Sequence, residues 1–188
     1  MNDIISSVLM NQRKATDIQM EVQMKTPKAD VSKIPEVMKL IEKAASVMEE
    51  KSGSDDPKVK QELEDLQNKL REITGNKKLK ITEFQRYWAY TDLETMAKKA
   101  LMLPPEKCDV TDDQIREIVL YAFCDDFFKS HDEADVDYWV DFLEINTGLE
   151  YLSDYIFYPD MMGMDNNATL EQIADRIIAD KNNRKHDN

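Results

Sequence analysis

The sequence predicts an all-α protein, on the grounds of composition, apolar spacing and helix-capping signals. Only 4 Gly and 6 Pro occur in 188 residues, whereas a β fold of this size uses more turn residues. Apolar residues recur at intervals of three and four along most of the chain, which is the period of a helix. Several Ser and Thr residues stand three positions before a Glu or Gln, a pattern typical of helix starts.

Charge divides the chain into two halves. Of its 38 acidic and 25 basic residues, 21 acidic but only 7 basic residues lie in 104–188. The change occurs at the Pro104–Pro105 step, which also ends a predicted helix. We therefore predict an N-terminal helical region over 1–103 and an acidic domain over 104–188. Such an excess of charge acts on association and solubility rather than on fold, and it favours a basic partner.

The N-terminal region is predicted to contain a helical hairpin. Apolar residues form one stripe over 32–48, and the segment 51–57 interrupts it with Gly and Pro. Asp56 is predicted to cap a second helix, whose narrow apolar stripe covers 59–73. A narrow stripe is also typical of coiled coils, so a homodimer through the N-terminal helices is the alternative.

Three further segments complete this region. Residues 4–24 combine a helical stripe with a strand-like alternation, and we interpret them as helix. Thr82 is predicted to cap a helix that continues to Leu103. The lysines within 77–80 are interpreted as solvated, because the acidity of the chain opposes direct binding of nucleic acid.

The acidic domain is predicted to be a four-helix bundle with a short third helix. Capping boxes beginning at Thr111, Ser130 and Thr169 open the first, second and fourth helices, and Gly148 closes the second. The predicted helices are, in order, 112–128, 131–147, 149–158 and the residues from 170. One face of the second helix is acidic. Its members are Glu133, Asp137, Asp141 and Glu144.

Residues that commonly carry catalysis or hold metal ions are scarce in this chain. The only histidines are His131, in a capping segment, and His186, in the tail. Cys108 and Cys124 are far apart in sequence, and no C-x-x-C or H-E-x-x-H pattern occurs. We therefore expect a protein that is not an enzyme and uses no metal and no cofactor.

The length of the apolar segments predicts where the protein is located. A bilayer span needs about 20 consecutive apolar residues, and no run approaches that length. The N-terminus also lacks the order of a secretion signal. We expect a cytoplasmic protein that does not contact membranes.

An aromatic segment, SDYIFYP at 153–159, is the most distinctive motif. Asp154 precedes three aromatic residues, Tyr155, Phe157 and Tyr158, on a stretch too short to form a stable helix alone. Aromatic side chains offer large rigid contact areas and are enriched at the energetic centres of interfaces. Helical spacing separates Phe157 from the two tyrosines, so we expect at least one ring at the surface. The alternative is that all three are core residues.

This segment resembles the third helix of the immunity proteins of DNase-type colicins and pyocins, a bacteriocin-related family. Those are small acidic four-helix proteins that bind and neutralise a toxic nuclease domain. Their Ser-Asp-x-x-Tyr-Tyr-Pro motif corresponds here to Ser153, Asp154, Phe157, Tyr158 and Pro159, with Phe in place of the first Tyr. The order of helices over 109–181 is also similar. The family usually lacks the preceding hundred residues, and GLEYL before the motif differs from its His-Pro approach.

The resemblance implies that two helices divide the work of binding. Asp154, Phe157 and Tyr158 would form the common anchor, and the acidic face of the second helix would select the partner. That partner would be a basic toxin or nuclease domain, which an acidic surface attracts and then blocks without catalysis. The alternative function is a helical scaffold or regulatory protein that oligomerises through its N-terminal helices.

Overall fold

The computed structural model describes residues 26–51 and 55–186. Within them it contains eight α-helices and no strand, which confirms the all-α class. The helix predicted in 4–24 lies outside the described residues. The helices are α1 Ile34–Glu50, α2 Pro57–Thr74, α3 Leu93–Leu101, α4 Asp112–Ala122, α5 Asp125–Ser130, α6 Glu133–Thr147, α7 Leu152–Phe157 and α8 Leu170–His186. Short 3₁₀ helices cover Val31–Lys33, Ile81–Phe84, Tyr87–Ala89 and Pro159–Met162.

The first apolar core forms where α1 packs on α2 and α3. Asp56 caps α2 as predicted, because its side chain accepts a hydrogen bond from the backbone N–H of Lys58. Leu66 and Leu70, in the middle of the narrow α2 stripe, are buried in this core. The stripe that could have formed a seam between two copies therefore packs within the chain.

The helix predicted from Thr82 to Leu103 is confirmed only in its second part. Arg86 adopts a left-handed backbone conformation with φ of 58°, and α3 begins only at Leu93. Asp92 caps α3, since its carboxylate accepts a hydrogen bond from the backbone N–H of Thr95 at 2.9 Å. A helix can start late when a strong cap lies next to its apolar stripe, and Asp92 provides that cap.

The second apolar core lies in residues 110–178, on the other side of the Pro104–Pro105 step. α4 packs along α8, and α6 and α7 close the core. Its largest fully buried side chain is Trp139 of α6, which is surrounded by residues such as Ile115, Leu143 and Ile177. None of the helices in the described ranges has the length and apolarity of a membrane span.

Residues 112–128 form two helices, α4 and α5, rather than one. Cys124 has an extended backbone and begins the short α5, so five helices follow residue 104 where four were predicted. Asp125 and Asp126 explain the break. In a single helix they would lie in the last turn, where the helix dipole opposes negative charge, whereas in α5 they occupy the favourable first turn.

Two of the three predicted capping boxes are confirmed. Thr111 and Gln114 exchange side-chain to backbone hydrogen bonds at the start of α4. Thr169 and Gln172 do the same at the start of α8. Gly148 ends α6 in the left-handed conformation, with φ of 73°. Three of the four capping signals predicted in this half are therefore confirmed, and each depends only on residues close by in sequence.

The third predicted box, at Ser130, is replaced by one at Asp132. The Ser130 hydroxyl instead donates a hydrogen bond to the carbonyl oxygen of Asp126, at 2.8 Å, and so belongs to the end of α5. Asp132 accepts from the backbone N–H groups of Ala134 and Asp135, at 3.0 and 3.3 Å, and its own N–H donates to Asp135. The carboxylate pair therefore starts α6 two residues later than predicted.

The two cores meet where α3 packs on α6. Lys98 Nζ lies 2.6 Å from Asp132 Oδ2 and 3.0 Å from Asp135 Oδ2. Burial by itself would lower the pKa of Lys98, but hydrogen bonds to these two carboxylates outweigh it and raise that pKa. The same two aspartates form the capping box of α6. One lysine of the N-terminal region thus stabilises a helix start in the acidic domain.

Replacing Asp132 tests this double role. We expect Asp132→Ala to lower the free energy of unfolding by about 1 kcal/mol for the lost cap and by about 0.5 kcal/mol for the ion pair, which is half exposed. Thr169→Ala removes a cap without an ion pair and is the matched control. Urea unfolding measures both, and the difference between them should vanish at high salt. Equal losses at low salt would contradict the role of Lys98.

Candidate partner-binding site

The acidic face of α6 is partly occupied by the chain itself. Lys99 Nζ lies 3.0 Å from Glu133 Oε1 and also forms an ion pair with Asp137. Burial opposes the charge of Lys99, yet its hydrogen bonds to these carboxylates raise its pKa. The structure therefore brings Glu133 and Asp137 together, but it turns them toward α3 rather than leaving them free.

The remaining two residues of that face differ from each other. Glu144 Oε1 accepts a hydrogen bond from the backbone N–H of Leu152 at 2.9 Å and so helps α7 to begin. Asp141 is exposed and forms no hydrogen bond or ion pair with the described residues. Removal of water by surrounding protein, followed by repulsion from Glu144 and Asp137, raises its pKa to about 6. Asp141 is thus the one member of the predicted face that remains unpaired.

The aromatic segment forms α7 and separates its rings as helical spacing requires. Tyr155 is only 4% exposed, and its hydroxyl donates a hydrogen bond to Asp180 Oδ2 at 2.9 Å. Burial and this hydrogen bond raise the pKa of Tyr155 to about 12. The expectation that Tyr155 contacts a partner is therefore corrected, because its ring belongs to the second core.

Phe157 and Tyr158, by contrast, reach the surface, with 43% and 58% of their area exposed. The ring of Phe157 lies 6.4 Å from that of Phe128, which is itself 42% exposed on α5. On its inner side Phe157 contacts the buried ring of Phe123 edge to face, at 6.3 Å. We call Phe128, Phe157 and Tyr158 the aromatic patch. Phe157 rests on the buried ring of Phe123, and all three rings of the patch are exposed to solvent.

Acidic residues accompany the aromatic patch in sequence. Asp125 and Asp126 are exposed in the first turn of α5, and Asp126 forms an ion pair with the neighbouring Lys129, at 3.0 Å. Asp154 is half-buried on α7, and Asp160 is exposed just after it. An apolar surface among carboxylates can bind a partner that combines an apolar contact with positive charge.

Sequence reasoning missed Phe128 because it assumed one long helix over 112–128. In the structure, the break at Cys124 redirects α5, and Phe128 then meets Phe157 from α7. Two aspartates directly after Cys124 were the available signal, since acidic residues favour the first turn of a helix. The structure thus adds one ring to the site and removes Tyr155 from it.

Histidine and cysteine side chains are the other groups that could carry catalysis or bind a metal ion. The His131 ring stacks on that of Phe127 with centroids 3.8 Å apart, and its Nδ1 lies 2.9 Å from the Ser130 hydroxyl oxygen. Cys108 and Cys124 are both free thiols. Within 26–51 and 55–186 no group of three or more His, Cys, Asp or Glu side chains is arranged to hold a metal ion.

Comparison with known proteins gives no relative for this chain. No model of a protein family, no curated protein and no solved structure matches it.

The two tyrosines of the aromatic segment, Tyr155 and Tyr158, should respond differently to truncation. We expect Tyr155→Ala to lower the free energy of unfolding by about 3 kcal/mol, because it leaves a cavity in the core. Tyr158→Ala should change it by less than about 0.5 kcal/mol, as is usual for exposed side chains. Urea unfolding followed by circular dichroism compares them. A large loss for Tyr158→Ala would mean that this ring is structural.

The raised pKa of Asp141 predicts a pH-dependent effect of its replacement. Its pKa in the folded chain is about 6 and its ordinary value is 3.8, so the folded state holds the proton more tightly. Ionisation therefore destabilises the fold as the pH rises from about 4 through about 6. Asp141→Asn should raise the free energy of unfolding at neutral pH, by less than about 1 kcal/mol because the group is exposed.

The same comparison at acidic pH provides the control. At a pH of about 3.5, where the carboxyl is mostly protonated in both states, Asp141→Asn should have a much smaller effect on the free energy of unfolding. Asp160→Asn, on an exposed carboxyl without a hydrogen bond or ion pair to the described residues, should have little effect at either pH. Equal stabilisation by Asp141→Asn at both pH values would contradict the electrostatic explanation.

Proposed function

We propose that this chain is a non-enzymatic binding protein that neutralises a basic toxin or nuclease domain. The observation that carries the proposal is the aromatic patch of Phe128, Phe157 and Tyr158. Its three rings are exposed, and Phe157 packs on the buried ring of Phe123. Rigid aromatic rings supported from below are the kind of side chain that concentrates binding energy at protein interfaces.

Charge supports a basic partner for this patch. The chain from residue 104 holds 21 acidic and 7 basic residues, and several of the carboxylates accompany the patch. A negative surface accelerates association with a positive one through long-range attraction. Nuclease domains bind phosphate with positive surfaces, so an acidic protein seated there excludes the nucleic acid by charge and bulk.

The contacts redistribute the roles that the family resemblance implies. Phe157 and Tyr158 keep the anchoring role, and Phe128 joins them. Glu133 and Asp137 are held by Lys99, and Glu144 is held by α7, so most of the α6 face serves the fold. We assign the selecting charge to the carboxylates that accompany the patch in sequence, namely Asp125, Asp126, Asp154 and Asp160.

Capture from the native host tests this function. Immobilised full chain should retain a basic protein that Tyr158→Ala retains at least tenfold less, because truncating an anchor costs about 2 kcal/mol or more of binding. Tyr90→Ala is the matched control, since Tyr90 is an equally exposed tyrosine in the N-terminal region. The captured protein, once purified, should cleave DNA or be otherwise toxic, and the full chain should inhibit it at a one-to-one ratio.

Two outcomes would contradict the proposal. One is a captured protein whose activity is unaffected by the full chain. The other is equal capture by the wild-type chain and Tyr158→Ala. Light scattering on the full chain distinguishes the scaffold alternative, which requires a stable oligomer in the absence of any partner.

A further inference from the structure

A cleft of about 450 Å³ lies between the two cores, away from the aromatic patch. α3 and the following residues 102–105 form one wall, α6 forms another, and the segment 76–84 closes an end. Its apolar lining includes the buried side chains of Phe84, Met96, Ala100, Met102 and Val140. Leu103 also lines it and is 54% exposed. The volume is in the range of sites that hold a ligand or a side chain of a partner.

One carboxylate on the α6 wall of the cleft has no ion pair with the described residues. Lys99 and Asp137 form an ion pair with each other. Lys78 and Glu83 stand on the segment that closes the end of the cleft. Asp141, one helical turn after Asp137, lines the cleft and has no hydrogen bond or ion pair with described residues. The α6 wall therefore offers a free negative charge beside an apolar surface.

The structure already shows which cation suits this wall. Lys99 lays its side chain against α6 and places its ammonium group on Asp137, with three quarters of the side chain buried. A lysine has an aliphatic stem that packs on apolar surface and a compact charge at its tip. Asp141 repeats the carboxylate one turn further along, where Lys99 attracts it but no lysine of the described residues forms an ion pair with it.

We propose that this cleft binds a lysine side chain of a protein partner, with the ammonium group on Asp141 and the aliphatic stem against Leu103 and Val140. The N-terminal region thereby becomes part of a binding surface, since it contributes Leu103, Phe84 and Met96. The proposal does not depend on the aromatic patch or on the partner being a nuclease. The two sites can therefore fail separately.

A titration with short peptides tests the cleft. The full chain, labelled with ¹⁵N, is titrated with acetyl-Leu-Lys-Leu-amide at millimolar concentration, and with the same peptide carrying glutamate or norleucine at the centre. The lysine peptide should shift the amide resonances of Leu103, Val140 and Asp141 and leave those of Phe157 and Tyr158 in place. The norleucine peptide should bind at least about fivefold more weakly, because it lacks the charge-assisted contact.

Protein variants and pH make the test specific. Asp141→Asn should lower the affinity for the lysine peptide at least about fivefold, whereas Asp160→Asn should leave that affinity unchanged. Circular dichroism verifies that both variants are folded. Lowering the pH from about 7.5 to about 5 should also weaken binding, because the cation requires the ionised carboxylate. The charged groups around Asp141 are Asp137 and Glu144 on α6, Lys99 on α3, and Lys78 and Glu83 across the cleft.

Three results would overturn the proposal. The first is the absence of any shift of cleft resonances with the lysine peptide. The second is equal or stronger binding of the glutamate peptide, which would assign the site to an anion at Lys78. The third is unchanged affinity for Asp141→Asn. Tyr158→Ala should leave the titration unaltered, so a failure of the aromatic patch as a docking site would not alter this result.

Discussion

The contact between α3 and the start of α6 organises the whole molecule. Two consecutive lysines, Lys98 and Lys99, meet four carboxylates within the first two turns of α6. Acidic residues at a helix start are favoured by the helix dipole, but four together repel one another unless cations intervene. The lysines provide those cations, and in doing so they hold the first apolar core against the second. Fold and charge distribution therefore depend on the same few atoms.

That contact also decides which acidic groups are available to other molecules. A count of charges along α6 indicates a continuous negative face, but its members do different things. Glu133 and Asp137 attach α3, Glu144 starts α7, and only Asp141 has no pair among the described residues. Likewise, the three rings of the aromatic segment divide between core and surface, and the Tyr155 hydroxyl donates a hydrogen bond to Asp180 of α8. The side chains available for binding are therefore those that the fold does not already engage.

Local rules predicted much of this fold, and they failed where distant contacts compete with them. Thr111, Thr169 and Asp56 were recognised as caps because each needs only its nearest neighbours. Ser130 was misassigned because Asp132 gains a second partner, Lys98, which is 34 residues away and invisible to local patterns. The same limit applies to the aromatic patch. Helical spacing separated Phe157 from Tyr155, but nothing local could bring Phe128 beside it.

The Pro104–Pro105 step marks a border in composition, and the ion pairs of α3 cross it. α3 lies before that border, yet its lysines neutralise a helix that lies after it. A fragment beginning at 104 would carry the crowded carboxylates at the start of α6 without Lys98 and Lys99. Low ionic strength would strengthen the repulsion among these carboxylates. Such a fragment retains the second core, within 110–178, but it loses the two lysines that α1 holds in place through its packing on α3.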